Sequence, residues 1–315
     1  ANNVIICPIV SDNDNAYITF GGGGLLIADT TTTPMTIRGE YGQQVINGAG
    51  CGGVQVGDDM WLNAGVSASE STSPTGPGGF KQSTFTLYTL DDSAFDTVQG
   101  ENSPMPVTVY KDNDATDGNA ANTASIGNVG GTPPNLTGQL PGTTTRRDSH
   151  GMTRTLDGSH IHTVDRIQNI VEVIDTRTLA RTTYDLTSEN GKGDGVGPCD
   201  AASVTYEAGP TGDSGLPAND PAPDLLENTP DGKYLAVALR GPVPVSVTHS
   251  AQGSCPGVGM IRVLGNGKRG KLATVLRTTN TVDDTPQSAP GGHPYTGTDH
   301  SDIHGASVRT RVEDM

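Results

Sequence analysis

Short runs of apolar and β-branched residues, separated by compact polar turns, recur along this chain in a fixed order of four. The second run of each set is Ala16-Tyr17-Ile18-Thr19-Phe20, Met60-Trp61-Leu62-Asn63-Ala64, His160-Ile161-His162-Thr163-Val164 and Tyr234-Leu235-Ala236-Val237-Ala238. Each follows a polar turn: Ser11-Asp12-Asn13-Asp14-Asn15, Gly57-Asp58-Asp59, Leu156-Asp157-Gly158 and Pro230-Asp231-Gly232. Asp, Asn and Gly tolerate the positive φ of a tight hairpin, so the first and second runs are predicted to pair antiparallel. First runs cover 4–10, 52–56, 150–155 and 224–229. Third runs cover 25–30, 85–90, 170–176 and 260–264, and fourth runs 34–38, 105–110, 181–186 and 272–276.

Four antiparallel strands repeated with variable spacers predict an all-β fold, a β-propeller of four-stranded antiparallel blades in a single domain. The blades fall near 4–45, 50–112, 148–190 and 222–280. No segment of helical length holds a 3.6-residue apolar period, and a β-sandwich would not repeat the same turn chemistry every fourth strand. A further first-strand-like run at 304–311 echoes His150-Gly151, so the segment 302–312 is expected to close the ring or to pair with a partner's strand.

The repeat His150-Gly151…Leu156-Asp157-Gly158…Val173-Ile174-Asp175-Thr176 resembles that of YVTN-type (YncE-like) β-propellers. Ile27-Ala28-Asp29-Thr30 and Pro230-Asp231-Gly232-Lys233-Tyr234 match parts of it in other blades, whereas Leu264-Gly265 stands where Ile-Asp would. The resemblance implies a fold, not an activity, because such propellers serve many roles.

Charge narrows the partners. Lys plus Arg number 19 and Asp plus Glu 35, a net −16, which repels phosphate backbones and excludes nucleic acid as a partner. Proteins, glycans, cations and further copies of the chain remain. No run approaches the roughly 18 apolar residues of a membrane helix, so no membrane span is expected. The chain opens Ala1-Asn2-Asn3, as a processed chain would. The four cysteines form no C-x-x-C pair, which favours disulfides in an extracellular or periplasmic setting. Cys7 and Cys51 lie in the first strands of neighbouring blades, and Cys199 and Cys255 in long insertions, so the pairs 7–51 and 199–255 are expected.

The insertions are nearly all one-sided, the long link 91–104 between a third and a fourth strand being the exception. They occupy 65–82 and 241–256, between second and third strands, and 111–148, 188–223 and 281–301, between blades. In an up-and-down blade those links emerge on one face, and loops held by a rigid scaffold are where binding concentrates.

Candidate chemistry is sparse. His150 and His304 begin first strands, each two residues after an acid, Asp148 and Asp302. Imidazoles beside carboxylates suit a transition metal or a general base, although His-Gly also serves a repeat's internal hydrogen bonding. Arg166 and Arg240 end second strands, where paired guanidiniums could hold an anion or pair with local carboxylates. Asp112, Asp114 and Asp117 gather oxygen ligands suited to calcium, without EF-hand spacing. His160 and His162 share one face of their strand, as surface or inter-blade packing residues. No G-x-S-x-G elbow or phosphate loop occurs. The leading expectation is a secreted or periplasmic module for binding or structural assembly, acting through its loop-rich face. The alternative is a metal-dependent, lactonase-like hydrolase with a His/Asp site, using a calcium or transition-metal ion.

Overall fold

The computed structural model describes residues 5–20, 23–46, 50–64, 84–96, 104–113, 149–166, 169–193, 196–199, 221–241, 255–278 and 303–309. Its strands are β1 (Ile5–Val10), β2 (Asn15–Phe20), β3 (Leu25–Asp29), β4 (Thr36–Tyr41), β5 (Gly53–Val56), β6 (Asp59–Ala64), β7 (Thr84–Asp91) and β8 (Val107–Asn113). They continue as β9 (Ser149–Arg154), β10 (His160–Asp165), β11 (Ile170–Asp175), β12 (Arg181–Asp185), β13 (Pro223–Asn228), β14 (Tyr234–Leu239), β15 (Gly257–Leu264) and β16 (Arg269–Arg277). They form four four-stranded sheets, and each takes its strands in chain order. Sequential antiparallel neighbours make each sheet an up-and-down blade, so the chain is an all-β protein of propeller blades. Among the described residues no helix is long and apolar enough to cross a membrane.

The turns show why the repeat folds this way. In the β9–β10 turn, the Thr155 hydroxyl donates to Asp157 Oδ1 (2.6 Å), which also accepts from the Ser159 backbone N–H (3.0 Å). The His160 N–H returns to Thr155 Oγ1 at 3.1 Å. The β13–β14 turn repeats these bonds with Thr229, Asp231, Lys233 and Tyr234, at 2.7, 3.1 and 3.1 Å. Gly158 and Gly232 supply positive φ, 69° and 66°. Bonds to Thr155 and to Ser159 hold the exposed Asp157 carboxyl down at about 2, and Thr229 leads the lowering at Asp231. At the far end of the third blade the Asp175 carboxylate takes the N–H groups of Arg177 and Thr178 (3.0 and 2.8 Å). The fourth blade has no acid at the matching turn and instead carries Gly265, Asn266 and Gly267, all at positive φ.

The chain comprises two compact units: Ala1–Gly130 with Gly138–Arg154, and Gly131–Thr137 with Thr155–Met315. In the first, an apolar core gathers Tyr17, Leu25, Ile27, Met60, Leu62 and Phe95. The Cys7–Cys51 disulfide joins its first two blades, with Cα atoms 5.2 Å apart. A short 3-10 turn, Asp92–Asp96, follows β7. It carries Asp92 into full burial, where the carboxylate accepts from Asn13 Nδ2 (2.8 Å), Asn15 Nδ2 (2.9 Å) and the Tyr17 hydroxyl (2.5 Å). Arg38 extends this network through Asn15 Oδ1 and Asp29 Oδ2, each at 2.6 Å.

In the second unit the core gathers Val164, Val171, Leu186, Val237, Leu239 and Ile261. Cys199 and Cys255 are disulfide-bonded, with Cα atoms 5.5 Å apart. Both cysteine pairs are the expected ones. The third blade packs on the fourth through Tyr184, which faces Gly270; a β-carbon there would lie 2.6 Å from Tyr184 Cζ. His160 and His162 are buried rather than superficial and sit on the same inter-blade seam, near Gly267.

His162 is an acid-labile element of that seam. Its Nδ1 lies 3.0 Å from the Tyr184 hydroxyl, and burial pushes its pKa down to about 4. Between its unfolded value near 6.5 and about 4, the unfolded chain takes up a proton that the folded imidazole refuses. Stability therefore falls as pH drops through this window, by roughly 3 kcal/mol in all, and levels off below it. Denaturant midpoints measured from pH 7 to pH 4 should show a shallower acid limb in His162→Gln than in the parent. An unchanged limb would remove His162 from this role.

Candidate functional site

The second unit contains a buried charge cluster centred on Asp224. Pro223 opens β13, and Asp224 next to it is fully buried. Across the hairpin, the Arg240 N–H donates to the Ala222 carbonyl (2.9 Å), extending the ladder one step beyond β14. That step places Arg240 Nη1 3.0 Å from Asp224 Oδ2, with both side chains 0% exposed. Arg166, just past β10, brings Nη1 to 3.7 Å from the same oxygen and is also buried. His304 Nε2 lies 3.9 Å from it, with a side chain 39% exposed. Each of these groups makes further interactions.

The segment 303–309 that carries His304 runs beside β13 in the same direction. His304 sits by Asp224, and the Val308 N–H donates to the Glu227 carboxylate at 3.1 Å. It adopts no regular strand.

The chemistry of the cluster follows from its charges. Two guanidiniums already neutralise Asp224, so a divalent cation there would meet two fixed positive charges beside one carboxylate. Nor do the arginines present an open anion site, because their fixed partner is the chain's own carboxylate. A buried pair of this kind orders the structure around it, and removing one partner strands the other.

His150 is buried on β9, and its carbonyl accepts from Asn63 Nδ2 (2.6 Å). Asn63 Oδ1 in turn accepts from the Gly52 N–H (2.9 Å), which bridges β9 to the second blade inside the first unit. Gly52 is required there: a β-carbon would stand 2.3 Å from the His150 carbonyl oxygen. Asp112 lies on β8 opposite Phe85. Asp114, Asp117, Asp148 and Asp302 lie outside the described residues, as does most of each long insertion.

Sequence reasoning singled out Arg166, Arg240 and His304 but not Asp224, which unites them. A signal was available. Asp224 has the same offset from Asp231 as His150 has from Asp157, so it fills the repeat position held by histidine elsewhere.

No family model matches the chain, and no curated protein sequence does. Solved structures give remote likenesses. A periplasmic gluconolactonase from Pseudomonas aeruginosa matches 95% of this chain and 70% of its own at 9% identity, TM-score 0.42. BamB from Moraxella catarrhalis matches 85% and 52% at 14% identity, TM-score 0.38. The extracellular domain of a proposed one component system from Bacteroides thetaiotaomicron matches 87% of this chain at 12% identity, TM-score 0.40. The chain spans only 23% of that last protein's length and about half of BamB's. At such scores these likenesses carry no argument about activity, and the fold rests on the chain's own sheet topology.

Proposed function

We propose that this chain is a YVTN-like propeller protein of the cell exterior or periplasm that works as a binding and assembly module. One observation carries the reading: apolar side chains stand exposed on the outer strands. Met35 and Ile37, before and on β4, are 55% and 49% exposed, and Met105 and Val107, before and on β8, are 65% and 63% exposed. Both β4 and β8 are sheet edges. Soluble proteins usually blunt such edges with charge, and a long apolar edge recruits another chain. By contrast, the polar groups of the charge cluster, Asp224 with Arg166 and Arg240, are buried against one another. The disulfides suit an oxidising compartment.

The occupant we assign to these edges is a second copy. With −16 on each copy, association is opposed by repulsion and should strengthen as salt screens it. Sedimentation equilibrium across micromolar concentrations should show reversible oligomers that grow between 50 and 500 mM salt. Ile37→Lys with Val107→Lys should shift the association constant about tenfold or more towards monomer. A parent that stays monomeric throughout, or a variant that associates equally well, would end the assembly reading.

A further inference from the structure

A cavity of about 460 Å³ opens in the second unit beside the sheet β13–β16, a volume within the range of small-ligand sites. Its lining includes Glu189, Val196, Tyr234, Arg262, Lys271 and Ala273. Strand register explains how three of these meet. Tyr234 pairs with Arg262 across β14 and β15, and Arg262 pairs with Lys271 across β15 and β16. Directly paired residues share a sheet face, so ring, guanidinium and ammonium form one row.

Such a row is costly. Like charges directly opposite each other destabilise a sheet, and this chain has 35 acids with which to neutralise 19 bases. Yet among the described residues neither Arg262 nor Lys271 makes an ion pair. Arg262 is exposed and Lys271 half-buried, so both side chains can reach a ligand.

We propose that this cavity binds a sugar acid, with its carboxylate on Arg262 and Lys271. The inference rests on the binding-module reading and names one ligand class for it. A guanidinium takes a carboxylate through two parallel N–H bonds, and the ammonium adds a point charge. Glu189 in the same lining brings the fixed charge to a net +1, which matches a monoanion better than a phosphate near −2. It also accepts hydrogen bonds from hydroxyl groups, which a sugar supplies. Tyr234, Val196 and Ala273 offer weakly apolar surface to the C–H face of a pyranose ring.

The test is titration of the full chain with sodium glucuronate, followed by calorimetry or amide chemical shifts, with glucose and inorganic phosphate as parallel probes. Saturable glucuronate binding is expected, at least tenfold tighter than glucose or phosphate. Arg262→Gln with Lys271→Gln should weaken it at least tenfold without lowering the thermal transition, since the two like charges oppose each other across the sheet. Tyr234→Ala should weaken glucose and glucuronate alike. No saturation by glucuronate, equal binding of phosphate, or an unaffected double variant would each overturn the proposal. Self-association is read by a separate measurement, so failure of the sugar-acid site and failure of the assembly reading are distinguishable.

Discussion

Asp224→Ala is expected to cost the second unit about 3–5 kcal/mol, the range for breaking a buried ion pair from one side. The alanine would leave Arg240, whose side chain is 0% exposed, and the buried Arg166 facing each other without the carboxylate between them. Water cannot reach either guanidinium to compensate, so the loss greatly exceeds that of a surface pair. His304→Ala supplies the contrast. Its imidazole lies 3.9 Å from the same oxygen but is 39% exposed, so its removal should cost under about 1 kcal/mol. Replacing the pair together, Asp224→Leu with Arg240→Met, should recover part of the loss, because apolar side chains need no partner. Urea midpoints of the four proteins decide the matter. A loss below about 1 kcal/mol in Asp224→Ala would mean that the cluster is not the buried charge centre described above.

Asp92→Ala should be the most damaging single change in the first unit. It takes the carboxylate from the Tyr17 hydroxyl and from Nδ2 of Asn13 and Asn15, all within 2.9 Å of it, while Asn15 Nδ2 keeps its bond to the residue-92 backbone carbonyl at 3.2 Å. An unsatisfied buried donor costs about 1–3 kcal/mol and a weakened bond less, so a combined loss of roughly 3 kcal/mol is expected. Tyr17→Phe separates the hydroxyl from the ring. The ring keeps its edge-on contact with Phe95, at a centroid distance of 6.2 Å, so this variant should lose only about 1 kcal/mol. The Tyr17 hydroxyl cannot ionise in compensation, because burial and the neighbouring Asp92 both push its pKa up. Thermal denaturation of both variants tests the ordering, and equal losses would shift the credit from the carboxylate to the aromatic packing.

The strands were legible because their signals are local. Alternating apolar residues and an Asp-Gly or Asn-rich turn determine a hairpin within a dozen residues, and the Thr155 and Thr229 turns realise identical bonds. Where local signals conflict, the boundaries move. The run beginning at Pro34-Met35 reads as strand, yet β4 begins at Thr36 and continues to Tyr41. Pro34 has no N–H to offer a ladder, whereas Tyr41 fills the core and donates its hydroxyl to the Pro104 carbonyl. The Cys7–Cys51 pair was legible for a related reason, since places in a repeat translate into neighbouring positions, and Cys199–Cys255 because both lie in insertions expected on one face.

The candidate site was legible only in pieces. Arg166, Arg240 and His304 stand out as charges at strand ends, but the reason for their burial lies in Asp224, which is far from Arg166 in the chain and sits beside an unremarked proline. For the seam, inter-blade packing was one of two readings of His162, but its partners Tyr184 and Gly270 were hidden, because only packing of one blade on the next reveals that a glycine there leaves room for a ring. The Tyr234, Arg262 and Lys271 row needs strand register, and register around the β15–β16 bulge between Met260 and Ile261 is not written in any one segment.

By itself, then, the sequence determined blades, turns, disulfide partners and an acidic surface, all consequences of short-range pattern and net charge. Tertiary structure decided which charges are buried and which are presented. Burial depends on what a distant strand places opposite each side chain: Arg240 is a buried strut beside Asp224, whereas Arg262, opposite Lys271, stays exposed.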